Sequence, residues 1–144
     1  MQKKEIMSTI STDIMWNSQM SFKASVQGHE LMLDLGEDAG GQDLGPRPKP
    51  LLLASLGGCT AMDVISILKK MRVEPDYFNV NVTGEVTEEH PKHFTKIHLV
   101  YEFKGKDLPM DKLQKAIELS QERYCGISHT LKKAVELTSE IRIL

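Results

Sequence analysis

The sequence predicts an α+β fold built on a mostly antiparallel sheet. Three observations carry it: period-two apolar runs in the first third, one long apolar helical stretch after a Gly/Pro-rich loop, and a second alternating pair followed by helical segments and a closing strand. Strands and helices thus come in separate runs rather than as repeated strand–helix–strand units. At 144 residues the chain fits one domain of ordinary size. We take 1–144 as a single domain, with a β-rich part over 1–46 and a remainder, 47–144, that holds a helix, a hairpin, a second helical region and a last strand.

Ile6 to Met15 opens the β-rich part as a mixed segment with several β-branched residues. "MSFKASV" then alternates, putting Met20, Phe22, Ala24 and Val26 on one face, and "HELMLDLG" alternates after the Gly28 turn. The pair reads as a hairpin. Gly36 to Pro50, "GEDAGGQDLGPRPKP", is a loop, and its glycines do not have phosphate-binding spacing. Pro48 and Pro50 suit the start of a helix, since proline is tolerated in the first turn. From about Pro50 to Met71 the apolar residues fall on nearly every face, which predicts a helix buried on several sides. Phe78 to Val86 and Ile97 to Phe103 alternate about the turn "TEEHPKH" and predict a long hairpin. Leu108 to Tyr124 has helical spacing, "CGISHTLKKAVE" starts a second short helix, and "LTSEIRIL" is the closing strand.

Composition bounds the function. The chain is 40% hydrophobic and 26% charged, enough to build a core without disulfides. A net charge of -2 with scattered basic residues gives no electrostatic basis for binding nucleic acid or an anionic membrane. The first residues, "MQKKEIMSTISTDIMW", hold no apolar run of signal-peptide length, so the expected location is cytoplasmic. In a reducing compartment, the two cysteines read as buried small hydrophobes, metal ligands or redox thiols.

Cys59 lies in the long helix and Cys125 at the predicted start of the last one, so any meeting between them is tertiary. Free N–H groups at a helix start favour a thiolate at Cys125. Gly57 and Gly58 precede Cys59 and serve either close packing or an opening of the helix that exposes N–H groups to its sulfur. Asp63, one helical turn after Cys59, disfavours an anion there. His129 is one turn after Cys125, on the same face. His90 and His93, with His98 further on, offer a weak alternative as a loop metal site, without an evident fourth ligand.

Together "LLLASLGGCTAMDVISILKK" and "ERYCGISHTL" resemble the OsmC/Ohr family of thiol-dependent peroxidases, in its less characterised OsmC-like branch. The resemblance implies an intertwined homodimer with antiparallel sheets wrapped around long central helices. It implies Cys59 as the peroxidatic thiol attacking an organic hydroperoxide in an oxidative stress response, and Cys125 as the resolving thiol. The partner would be an external dithiol reductant, lipoyl or thioredoxin-like, with no cofactor and no metal. Active members open the Cys helix with a Pro-Glu pair, where this chain has Pro48-Lys49, and use an arginine from the β region, where residues 1–46 have none. Arg47 and Lys49 are then the candidates for the supporting positive charge, with His129 beside them. A lysine lacks the planar fork of an arginine, so the expectation is a slow peroxidase. The alternative is a non-catalytic dimer of the same fold that binds a small hydrophobic ligand.

Overall fold

The computed structural model describes residues 7–144; the first six, including Ile6 of the predicted mixed segment, lie outside them. The chain forms two compact units, Met1–Leu51 and Leu52–Leu144.

The first unit holds a three-stranded antiparallel sheet in the order β1-β2-β3, with β1 Asp13–Ser18, β2 Ser21–Val26 and β3 His29–Leu33. Val26 pairs with His29 across a two-residue turn. Gln27 and Gly28 both have positive φ, 49° and 80°, the requirement of a tight hairpin turn that matches strand twist. The one-face alternation predicted for β2 holds only in part. Ala24 is buried, as is the off-register Ser21, whereas Met20 and Val26 at the hairpin ends are exposed. The loop after β3 is organised by one carboxylate. Asp34, almost fully buried, accepts N–H bonds from Leu35 at 2.7 Å, Gln42 at 3.1 Å and Leu44 at 3.2 Å. Burial works to raise its pKa. The bonds from Leu44, Leu35 and Gln42, with the charge of Arg47, outweigh burial and hold the carboxyl below its ordinary value.

Helix α1 runs unbroken over Pro48–Lys70. Proline at its first position loses no helical hydrogen bond, and Lys69 and Lys70 suit the negative end of the helix dipole. It stops where Arg72 turns left-handed at φ 60°. There the Val73 N–H reaches back to the Leu68 carbonyl at 2.9 Å, closing a Schellman-type cap. By length and composition α1 is apolar enough to cross a membrane. Leu56, Thr60, Val64 and Leu68 form a buried stripe along it, each four residues after the last. Fully burying such a side chain contributes about 1.5–3 kcal/mol. The opposite face is open, with Met62 76% and Ile65 42% exposed. The expected burial on several sides is therefore not met within one chain.

The second unit adds β4 Tyr77–Val86, β5 Phe94–Lys104, α2 Met110–Leu119, a π-helical turn Ser120–Tyr124, α3 Gly126–Leu131 and β6 Glu136–Ile143. β4 and β5 form the expected long antiparallel hairpin. β6 pairs with β5 in parallel, from Lys96↔Glu136 to Phe103↔Ile143, so this sheet is mixed. The reason is the connection: the helices between β5 and β6 carry the chain back, as a parallel crossover requires. Ile97, Leu99, Tyr101 and Phe103 of β5 pack with α1 and with Leu113, Ala116 and Ile117 of α2 in one core.

Candidate functional site

Cys59, one turn past the buried Leu56, sits on the fourth turn of α1. Its helix is uninterrupted, so Gly57 and Gly58 do not open it. A Cβ on Gly57 would stand 2.9 Å from Val82 Cγ2 of β4, whereas one on Gly58 would meet nothing within 4 Å. Gly57 therefore answers to close packing of helix on sheet.

Cys125 is positioned by an irregularity. The predicted helix over Leu108 to Tyr124 is α-helical only to Leu119; its last turn is π-helical, closed by Cys125 N–H to Ser120 C=O at 2.7 Å. Single π turns often mark functional sites. Cys125 then caps α3, its sulfur accepting from the Ser128 N–H at 3.3 Å, in the role usually taken by Ser or Asp. The thiol is 2% exposed, while Cys59 is half-buried.

The fold brings three of these side chains together. The Cys59 and Cys125 sulfurs and a carboxylate oxygen of Asp63 lie within 4.8 Å of one another. Both cysteines are free thiols. Burial pushes the Cys59 thiol up; a hydrogen bond with Cys125 and the Asp63 charge add to this, while an N–H bond from Ile127 works the other way. Asp63 also lines a cleft of about 110 Å³ with Ser66, Ile67, Lys70 and Tyr124.

Behind the thiols runs a buried polar chain that sequence reading missed. Ser120 Oγ donates to Asp63 Oδ2 at 3.0 Å. Thr60 Oγ1 lies 2.8 Å from Ser120 Oγ and 2.8 Å from Tyr101 Oη, and Gln121 Nε2 donates to Tyr101 Oη at 3.0 Å. A hydroxyl has one proton, so the direction is forced: with Ser120 committed to Asp63, Thr60 donates to Ser120 and Tyr101 donates to Thr60. Burial raises the Tyr101 pKa despite these bonds. Its phenol thus keeps the proton that the chain needs.

The supporting candidates have the following surroundings. Arg47 and Lys49 belong to the first unit. Arg47 is held by the Asp43 carboxylate and the Gly45 carbonyl, and Lys49 is exposed on the first turn of α1. His129 is exposed, and its backbone N–H bonds the Cys125 carbonyl at 3.1 Å. The histidine metal alternative is corrected. His93 donates to the Pro91 carbonyl, His98 faces Thr138 and Glu140, and among the described residues the one metal-spaced cluster is Cys59, Asp63 and Cys125. Its three ligands are one short of a closed tetrahedral zinc site.

Known proteins share this fold. The family model described as OsmC-like protein matches residues 40–140. Protein YhfA of Escherichia coli K12 is 34% identical over 132 residues, covering 91% of this chain and 96% of its own. A hypothetical protein from Aquifex aeolicus VF5 superposes with a TM-score of 0.80 at 28% identity, over 96% of this chain and 99% of that one. An organic hydroperoxide resistance protein OsmC from Legionella pneumophila has the same fold, with a TM-score of 0.70 at 13% identity over 96% and 99% of the two chains. With two thiols meeting on this fold and the family model covering most of its length, the chain belongs to the OsmC-like protein family.

Proposed function

We propose that this protein is a dithiol redox protein that reduces organic hydroperoxides, with Cys59 as the attacking thiol and Cys125 as the resolving one. The observation that carries it is the pairing of a half-exposed and a buried free thiol whose sulfurs lie within 4.8 Å. The Cys59 sulfur attacks the O–O bond of ROOH; an S–O bond forms, the alcohol leaves, and Cys59 becomes a sulfenic acid. Cys125 attacks that sulfur, water leaves, and a disulfide forms, which an external dithiol then reduces by exchange. The raised Cys59 pKa leaves little thiolate at neutral pH, so turnover is slow. The apolar residues Leu52, Met62 and Ile65, exposed on α1, are the face a second copy of the chain would cover, and the site of action is the cytoplasm. Reduced protein mixed with cumene hydroperoxide should lose both thiols and gain one internal disulfide by mass spectrometry. Two surviving thiols, or loss that Cys59→Ser does not change, would overturn the reading.

A second reading has its own observation. In the first unit, Ile14, Met20, Phe22, Leu33 and Leu35 line an apolar cavity of about 260 Å³, which fits a small hydrophobic ligand in a non-catalytic member of the family. Native mass spectrometry showing a bound lipid-like molecule on protein with inert thiols would favour it.

A further inference from the structure

We propose that Asp63 is the proton acceptor of the thiol pair, taking the proton from the Cys125 thiol as that sulfur attacks Cys59. The proposal rests on the dithiol reading, and its argument starts from burial. Cys125 is 2% exposed, so bulk water is poorly placed to take its proton at neutral pH, yet only the thiolate attacks a sulfur. A base inside the fold is better placed. Among the described residues, the groups found beside the two sulfurs are the Asp63 carboxylate and backbone N–H donors, from Ser128 on Cys125 and from Ile127 on Cys59. The N–H groups stabilise a thiolate but cannot accept a proton. Asp63 can, and 4.8 Å or less is spanned by a small side-chain rotation or by one water.

The surroundings of Asp63 fit the role. Its Oδ2 is held by Ser120, at the end of a chain in which every hydroxyl points its proton toward the carboxylate. This holds the carboxylate in place through Oδ2. The other charged and titratable groups around it are Lys70 of α1 and Tyr124 of the π turn, which line the same cleft, and Tyr101 of β5 at the far end of the chain. In the closing step an S–S bond forms, the S–O bond of the sulfenic acid breaks, and the proton held by Asp63 leaves with the hydroxide as water. Asp63 is thereby restored. Lys49 stands on the first turn of α1, and the carboxylate that serves the thiols here is Asp63, on the same helix one turn past Cys59.

The test uses a chromogenic disulfide, 2,2′-dithiodipyridine, so that it does not depend on peroxide chemistry. Cys59 attacks it and releases one thione. Cys125 then attacks the mixed disulfide and releases the second, so one absorbance trace separates the two steps. Asp63→Asn should slow the second release at neutral pH by about tenfold or more without slowing the first, and the deficit should shrink as pH rises into the thiol range. Asp63→Glu, which keeps a carboxylate, should stay within a few-fold of the parent. A second release at the parent rate in Asp63→Asn, equal slowing of both releases, or an Asp63→Glu variant as slow as Asp63→Asn would overturn the proposal. Failure of the peroxidase reading shows separately, as thiols that survive hydroperoxide while both thione releases proceed.

Discussion

The Ser120 hydroxyl lies 3.0 Å from the Asp63 carboxylate, tying the π turn that delivers Cys125 to the helix that carries Cys59. Ser120 also receives the Thr60 hydroxyl at 2.8 Å, so one small residue satisfies two buried partners. Ser120→Ala should therefore lower stability by about 1–3 kcal/mol, the cost of stranding buried polar groups, read from the urea unfolding midpoint. A loss indistinguishable from that of the exposed Ser66→Ala would show that the chain bears no weight.

The titration of Cys59 gives a second prediction. Burial, the bond with Cys125 and the Asp63 charge all favour the neutral thiol. Alkylation of Cys59 by iodoacetamide, followed by peptide mass spectrometry, should rise with pH along a curve displaced above the ordinary thiol range. Asp63→Asn should move that curve to lower pH. The sign for stability is the matching one: a thiol raised in the folded state contributes stability that is present below its unfolded pKa and lost as pH rises through the folded one.

Asp34 behaves in the opposite sense. Its pKa is held down in the folded protein, so its contribution is present above the ordinary carboxylate value and is lost as pH falls through the lower folded one. Asp34→Asn should speed amide exchange at Leu35, Gln42 and Leu44, whose N–H groups it accepts, while leaving exchange on β5 unchanged. Uniform acceleration across both units would count against a local role.

The glycine pair offers a test by contrast. Gly58→Ala places a methyl in open space and should stabilise α1 by about 0.5–1 kcal/mol through helix propensity. Gly57→Ala gains the same propensity but drives its methyl to 2.9 Å from the short, branched Val82 side chain, so it should lower the melting temperature. If both variants shift it alike, the close approach of α1 to β4 is not what fixes Gly57.

Much of this was legible locally. The hairpins, the long helix and the closing strand each follow from period and turn residues, and the two cysteine motifs were enough to place the chain near its family. What was not legible depends on distance in sequence. The parallel direction of β6 is set by the crossover helices, not by "LTSEIRIL". Thr60 reads as one polar residue on an apolar helix until Tyr101 and Ser120 arrive beside it, Ser120 from 60 positions away. The π turn leaves no periodic mark, since it spans only five residues. Asp63 was legible as a neighbour one turn after Cys59, and its unfavourable effect on the thiolate is present as expected. Its company was not, because Ser120 and Cys125 reach it only through the tertiary fold.

The one-way run of hydroxyls makes Tyr101 an optical probe supplied by the protein itself. Hydrogen bonds in series polarise one another, so neutralising Asp63 weakens the pull at each link, the last of which is the phenol of Tyr101. The near-ultraviolet absorption of a tyrosine responds to how strongly its hydroxyl donates. The lone tryptophan, Trp16, lies in the other unit. The progress of thiol chemistry at one end of the chain can thus be followed, without a label, as a small displacement of a tyrosine band at the other.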